Sequence, residues 1–335
     1  MDKCRQSFFA WAVLAATSIG TWQTAWCQPT NQTSVEQLTA LLQTIDPYRP
    51  TREVRGTVRV YGSTSMDALA HGWAGGFKKF HPNVRVEITG TGYQETFDRL
   101  QQDPDGVGMI ARPVTEAELA ELKQRGLNAP HAFVVAREAL GVFVHAQNPV
   151  QSISGEQLRQ VFTMDGPPGL TWGLLGAPGS WASQPIHIVS RVPNSGTQDF
   201  LANFVFKSAE MRPGVSEHVS NAQVLEVVRE DPLAIAICGI RSKAEGVKAL
   251  QLMAAGTAVP SDDQTILTGQ YPLTRPLTLV VDLGQKTPDG LAAQEFVRYA
   301  LCQSGQVQAV LVGFFPVDPP LLRAGLQKLD GSLVR

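Results

Sequence analysis

Within "VSRVPNSGTQDF", residues 189–200, Arg191 ends an apolar run, and Ser195, Gly196 and Thr197 follow close behind. Phe200, Leu201 and Phe204 then recur at helical spacing, so a strand hands over to a helix here. An arginine presents a planar fork of donors that grips two oxygens at once. The first turn of a helix leaves backbone N–H groups unpaired and partly positive. The hydroxyls of Ser195 and Thr197 add donors, and Gly196 lets the backbone approach closely. Together these groups suit a tetrahedral oxyanion. Ser195 with Gln198 three residues on is equally the pattern of a capping box, which is the alternative reading.

"YGSTSMDAL", residues 61–69, repeats the arrangement without the cation. Gly62 ends an alternating run, and Ser63, Thr64 and Ser65 open a helix. Such an end binds anions through its N–H groups; plain N-capping is the alternative. Two helix starts of this kind, one in each half of the chain, can face each other across a cleft.

The elements that must hold them follow from periodicity. "TVRVYGS" from Thr57 and "VRVEI" at 84–88 alternate as strands, and Met66, Leu69, Ala70, Trp73, Phe77 and Phe80 recur at helical spacing between them. Thr96–Gln102 suggests a short helix, and "VGMI" at 107–110 a short buried strand. Thr115 with Glu118, and Ser154 with Gln157, read as capping boxes. "HAFVVAREALGVFVHA" contains two strand-like runs. "IHIVS", "AIAICGI" and "RPLTLVVD" are further strands, and Val224–Val228 and Leu291–Leu301 further helices. Strands alternating with helices argue an α/β fold with a mainly parallel sheet.

The 335 residues suit two domains, and a net charge of −2 provides no basic field for nucleic acid. Lys3 and Arg5, the apolar stretch Phe8–Ala16 and small residues at Ala25 and Cys27 read as a signal peptide over 1–27. Cleavage is expected after Cys27. Acylation of Cys27 to give a lipid anchor, and a buried N-terminal helix, are the alternatives. Beyond this stretch no apolar run is long enough to span a bilayer. Residues 28–55 form a polar lead-in broken by Pro29, Pro47 and Pro50. Val35, Leu38, Leu42 and Ile45 within it recur at helical spacing, and Ser34 could cap that helix. The lead-in either docks on the fold or stays mobile. After export Cys238 and Cys302 remain; two separately buried thiols are favoured over a disulfide.

Enzymatic signatures are missing. The six histidines show no H-E-x-x-H spacing, and the sequence has neither a G-x-S-x-G elbow nor a phosphate loop. "GTG" at 90–92 is too short for a dinucleotide site. A triad assembled from distant residues is not excluded by spacing.

In their order along the chain, "GSTSM", "WAGGFKKFHPNVRVEITGTG", "GMIARPVTEAEL", "HAQNPV", "TWGLLG", "SRVPNSGT", "GQYPLTRPL" and "SGQVQAVLVGFFPV" resemble the periplasmic phosphate-binding receptors of ABC transporters, the PstS-like family. The resemblance runs from Thr57 to Asp318. It implies a two-lobed periplasmic-binding-protein fold of type II, with mixed, mainly parallel sheets joined by crossing hinge strands. Lobe 1 would comprise 56–145 and 271–335, and lobe 2 146–270, the chain leaving near His145 and returning near Tyr271. It also implies a monomeric extracytoplasmic receptor, not an enzyme, that closes on phosphate or a related oxyanion and delivers it to a membrane permease. No cofactor, metal or catalytic residue is implied.

Carried over position by position, Arg191, Ser195, Gly196 and Thr197 match the family's phosphate-gripping motif. Ser65 and the N–H of Met66 fall where its first-lobe donors lie, with Thr64 beside them. Tyr93 stands where a serine is usual, and Ala111 where many relatives place an aspartate or serine; Arg112 next to it points either in or out. An aspartate accepts a proton from phosphate and repels sulfate, which has none at neutral pH. Ala111 cannot, so Ala111→Asp is expected to strengthen preference for phosphate if this residue faces the ligand. Tyr93 and Ala111 support a second reading, the same fold turned to an organic phosphonate, another oxyanion or a surface partner. A hydrolase ranks last.

Overall fold

The computed structural model describes residues 38–91, 93–193, 195–207, 209–242 and 244–331. The signal segment expected over 1–27 lies outside them. The first strand, β1 (Gly56–Gly62), alternates as its sequence demands, with Val58, Val60 and Gly62 buried. A 3₁₀ turn, Thr64–Met66, leads from it into α1 (Asp67–Phe77), whose Leu69, Ala70, Trp73 and Phe77 are buried. Phe80 lies beyond the helix end and is exposed. Then follow β2 (Val84–Gly90), α2 (Tyr93–Gln102), β3 (Val107–Ile110), α3 (Glu116–Gln124) and β4 (Pro130–His145). The capping box of Thr115 and Glu118 opens α3.

The second half of the chain continues with β5 (Ser152–Ser154), α4 (Gly155–Phe162), β6 (His187–Arg191) and α5 (Gly196–Phe200), which runs into a π turn, Leu201–Val205. Ser154 and Gln157 form the expected box on α4. Next are β7 (Ser216–His218), α6 (Asn221–Glu230), β8 (Ala234–Gly239), β9 (Val247–Ala254), β10 (Thr257–Val259) and α7 (Asp263–Leu267). The chain closes with β11 (Thr274–Asp282), α8 (Pro288–Leu301), α9 (Gln303–Leu311) and α10 (Pro319–Gly331).

The strands join in the order β2-β1-β3-β11-β4-β8-β6-β7, with β9 beside β4 and carrying β5 and β10. β1 pairs in parallel with β2 and β3, and β6 in parallel with β7 and β8. β11 and β4 run antiparallel to each other and to their outer neighbours β3 and β8. The sheet is therefore two parallel pieces stitched by an antiparallel pair, the two-lobed architecture expected from the sequence.

β4 is a single strand of 16 residues where two runs were expected. Its segment 130–139 pairs with β11, and 140–145 pairs with β8 and β9. The charged pair Arg137–Glu138 interrupts the apolar pattern at this change of partner, which is why the sequence reads as two strands. His145, the expected exit from lobe 1, pairs with Val247 of β9.

Each lobe buries both faces of its sheet. In lobe 1, Leu277, Leu279 and Val281 of β11 face one core with Trp73 and Phe296, while Val280 faces another with Leu100 and Leu122. In lobe 2, Ile235 and Ile237 face a core with Phe162 and Trp172, and Ala234, Ala236 and Cys238 face α6. This double burial explains why "VGMI" and "AIAICG" are apolar without alternation. The described part of the lead-in, from Leu38, docks: Ile45, Tyr48 and Val54 join the lobe 1 core, and Tyr48 donates to Glu295 at 2.8 Å; Ser34 and Val35 of the expected helix lie outside the described residues. Cys238 and Cys302 are both free and buried, in different cores. No helix of the described residues is long and apolar enough to cross a membrane.

Candidate functional site

Where the lobes meet, a cavity of about 340 Å³ opens between the end of β1, the end of β6 and the start of α6. Its charged lining residues are Arg191, Arg241 and Glu138. Thr64, Ser65, Ser220, Asn221 and Ser242 add neutral polar groups. A larger groove of about 550 Å³ lies along α3 and β4 of lobe 1 and holds none of the residues singled out by sequence.

Arg191 is the last residue of β6 and is paired in register with His218 of the parallel strand β7. The turn after β7 therefore passes beside its guanidinium. Nη1 donates to Asn221 Oδ1 at 2.8 Å and Nη2 to the Val219 carbonyl at 2.9 Å. Nε is buried and has no hydrogen-bond partner among the described residues. Burial lowers the pKa of this guanidinium, and the field of Glu138 opposes that effect. No carboxylate among the described residues lies within ion-pair distance of Arg191. A half-buried cation aimed by two neutral acceptors is a place where an anion recovers the lost solvation.

The start of α5 is tied back to the end of β6. Ser195 caps α5 by accepting from the Gln198 N–H at 3.3 Å. The Gln198 side chain does not complete a capping box. It turns back instead to the Ser190 hydroxyl and the Arg191 carbonyl, tying helix start to strand end. Ser195 and Thr197 are buried. The N–H groups of Gly196 and Thr197 lie in the first turn, where a helix leaves donors without internal partners.

On the facing wall, Ser63 is buried, and its hydroxyl lies 2.9 Å from that of Ser65. The Ser63 N–H bonds the Met109 carbonyl, and the Met66 N–H bonds the Ser63 carbonyl at 2.9 Å. Met66 thus spends its N–H inside the 3₁₀ turn, and its side chain is fully buried. Thr64 is exposed at the cavity edge. A Cβ on Gly196 would fall 2.4 Å from Ser65 Oγ and 2.7 Å from Ser63 Oγ. The two walls are therefore in contact at this point, and only glycine permits it.

Of the residues singled out by sequence, only Thr64, Ser65 and Arg191 line this cavity; Met66, Ser195, Gly196 and Thr197 lie behind its lining, and Ala111, Arg112 and Tyr93 are not part of it. Ala111 is 6% exposed and packs in the lobe 1 core. Arg112 turns to Glu118, with two hydrogen bonds of 3.1 and 2.7 Å, and to the Pro113 carbonyl. Tyr93 begins α2, but its side chain is not among those described.

Sequence reasoning missed the group that joins the walls. Arg275 of β11 is fully buried and is the register partner of Glu138 on β4. Its Nε and Nη2 both donate to Glu138 Oε2, at 3.0 and 2.6 Å. Nη1 donates to the Gly196 carbonyl, and Nη2 approaches Ser65 Oγ at 3.5 Å. The ring of Phe200 lies beneath the guanidinium, 5.3 Å from its carbon. One side chain on β11 thus touches the Gly196 segment on one wall and Ser65 on the other. The available signal was a charge at the same level in two strands expected to be apolar.

A family model described as a PBP superfamily domain matches residues 48–304. The phosphate-binding protein PstS of Pseudomonas aeruginosa is 30% identical over 297 residues, covering 85% of this chain and 92% of that protein. The crystal structure of a possible phosphate binding protein from Planctomyces limnophilus superposes with a TM-score of 0.69 at 22% identity, covering 84% of this chain and 99% of that one. An ABC-type phosphate transport receptor from Vibrio cholerae does so with a TM-score of 0.65 at 22% identity, covering 78% and 99%. These relatives are binding proteins rather than enzymes, and the two structures share the fold. The chain belongs to the PBP superfamily and, within it, to the PstS-like phosphate-binding proteins.

Proposed function

We propose that this protein is an extracytoplasmic receptor that closes its two lobes around phosphate and presents it to an ABC permease. The observation that carries this reading is Arg191: a half-buried guanidinium, oriented by Asn221 and Val219, that lines the cavity with no carboxylate of the described residues within ion-pair distance. Arg191 supplies the charge. The hydroxyls of Ser65, Ser195 and Thr197 and the first-turn N–H groups of Gly196 and Thr197 supply the remaining donors. Thr64 stands at the rim. Met66 contributes by holding the turn, since its own N–H is engaged.

The names of the relatives support phosphate as the ligand and a transporter as the partner. Delivery to a membrane permease requires the protein to be exported, which is the role we assign to residues 1–27. We draw the lobes at the partner change of β4, so that Ala139 belongs to lobe 1 and Leu140 to lobe 2. The protein acts as a monomer. Isothermal titration of the ligand-stripped protein with phosphate tests the reading. A 1:1 exothermic isotherm is expected; absence of heat and of any thermal stabilisation by phosphate contradicts it.

A further inference from the structure

Past Arg191 the interlobe cavity continues to a second guanidinium. Its lining includes Arg241 and Ser242, just after β8, and Gly313 and Phe314, just after α9. A Cβ on Gly239 would lie 2.9 Å from Asn221 Nδ2 and 3.8 Å from Ser242 Oγ. The residue that orients Arg191 and the neighbour of Arg241 therefore border one space. Charge in that space is uneven. Glu138 is met by Arg275, which donates twice to its Oε2. Arg191 has no such partner among the described residues. Arg241 Nη1 is buried without a hydrogen-bond partner among the described residues, and the Asp263 carboxylate stands 3.8 Å away, beyond hydrogen-bond reach. The Arg241 guanidinium carbon lies 5.0 Å from the centre of the Phe315 ring. That contact supports the group from one side and leaves its N–H donors to find acceptors elsewhere.

We propose that Arg241 forms a second anion subsite, so that the cleft takes a phosphoryl ligand bearing a further negative group. This rests on the oxyanion-receptor reading above, with the phosphoryl group on Arg191. The cavity of about 340 Å³ falls within the range of sites that hold whole organic molecules, roughly 300–1,000 Å³. It is larger than one tetrahedral oxyanion needs. Inorganic phosphate on Arg191 would engage one of the two cations. A second phosphoryl or a carboxylate, joined to the first through one bridging atom or a short carbon link, would engage the other. Arginine suits either group, because its planar donors match two oxygens of a phosphate or a carboxylate. Such a ligand also supplies the acceptor that Arg241 Nη1 lacks within the protein.

The test titrates wild type and Arg241→Gln with inorganic phosphate, pyrophosphate and phosphonoacetate, in buffer free of divalent cations, with thermal melting of each protein. Wild type is expected to bind pyrophosphate or phosphonoacetate at least about tenfold more tightly than phosphate, the effect of one added hydrogen bond between charged groups. A preference for pyrophosphate identifies the second group as a phosphoryl, and a preference for phosphonoacetate identifies it as a carboxylate. Arg241→Gln should lose that advantage and keep its affinity for phosphate. A merely structural Arg241 would change the melting temperature or weaken all three ligands alike. Wild type that binds phosphate and gains nothing from either second group overturns the subsite and leaves the receptor reading intact. So does folded Arg241→Gln that keeps the preference or weakens all three ligands equally. If Arg241→Gln does not fold, Arg241→Met, whose unbranched stem still covers Phe315, decides in the same way. A wild type that binds none of the three overturns both.

Discussion

On the lobe 1 wall of the cleft, Ser63 and Ser65 present neutral hydroxyls at the end of β1, and the Met66 N–H is consumed by the turn. On the lobe 2 wall, Arg191 presents a charge at the end of β6, beside a buried pair of hydroxyls on a short helix. Both walls are made the same way, a parallel strand ending in glycine or arginine before a helical turn. They differ in what they can give an anion. On the proposed reading lobe 2 brings the cation and most of the donors, and should therefore provide most of the affinity. Lobe 1 would then add the Ser65 hydroxyl and the shape of the facing wall. Arg275 and Glu138, on the two strands between them, make the contact that holds the walls at this separation.

The most disruptive way to break this arrangement is to remove the link. Arg275→Ala leaves Glu138 without its partner in a buried setting. Loss of one partner of a buried pair costs about 3–5 kcal/mol of folding stability, read as a lower urea midpoint with an unchanged slope. Arg191→Ala tests the lobe 2 wall alone. Phosphate affinity should fall by about 2–5 kcal/mol, the cost of truncating one partner of a hydrogen-bonded charge pair, while the melting temperature stays close to wild type. Unchanged affinity would remove Arg191 from the site.

Gly196→Ala sharpens the comparison, because its Cβ would meet Ser65 Oγ and Ser63 Oγ across the cleft. Overpacking of this kind costs about 1–3 kcal/mol. Here it opposes closure, so the loss should appear in phosphate affinity rather than in the stability of the ligand-free protein. Ser65→Ala removes one neutral donor from the lobe 1 wall and should cost about 0.5–1.5 kcal/mol of binding, less than any change on the other wall. Cys238 lies behind the lobe 2 wall, where its thiol feels the charges of Arg191 and Glu138, and Cys302 lies in the lobe 1 core. Burial pushes each thiol up to about 12, so the reactive thiolate is scarce until the pH approaches that value. Iodoacetamide at pH 8 should leave both unmodified in the folded protein and alkylate both in urea.

Local signals carried much of this. The capping boxes at Thr115 and Ser154, the alternation in β1 and the unbroken apolar runs of β3 and β8 each follow from residue type and spacing. The loop from Arg191 to Thr197 was legible for the same reason, since its residues are adjacent in the chain. Glu138 and Arg275 were not. They stand 137 positions apart and meet only because β4 and β11 pair antiparallel in one register. Taken singly, each reads as a charge on a strand. Gln198 misled in the opposite way: its spacing from Ser195 fits a capping box, yet its amide found better partners at Ser190 and Arg191. Ala111 shows the limit of positional matching. The resemblance implies a position near the ligand, while its methyl group packs in the lobe 1 core.

The most direct test of the central claim is a crystal structure of the protein with phosphate bound. The account predicts one phosphate in the interlobe cavity, with the Arg191 guanidinium on two of its oxygens and the hydroxyls of Ser65, Ser195 and Thr197 around the others. Phosphate bound elsewhere, or an Arg191 that points away from it, would contradict the account.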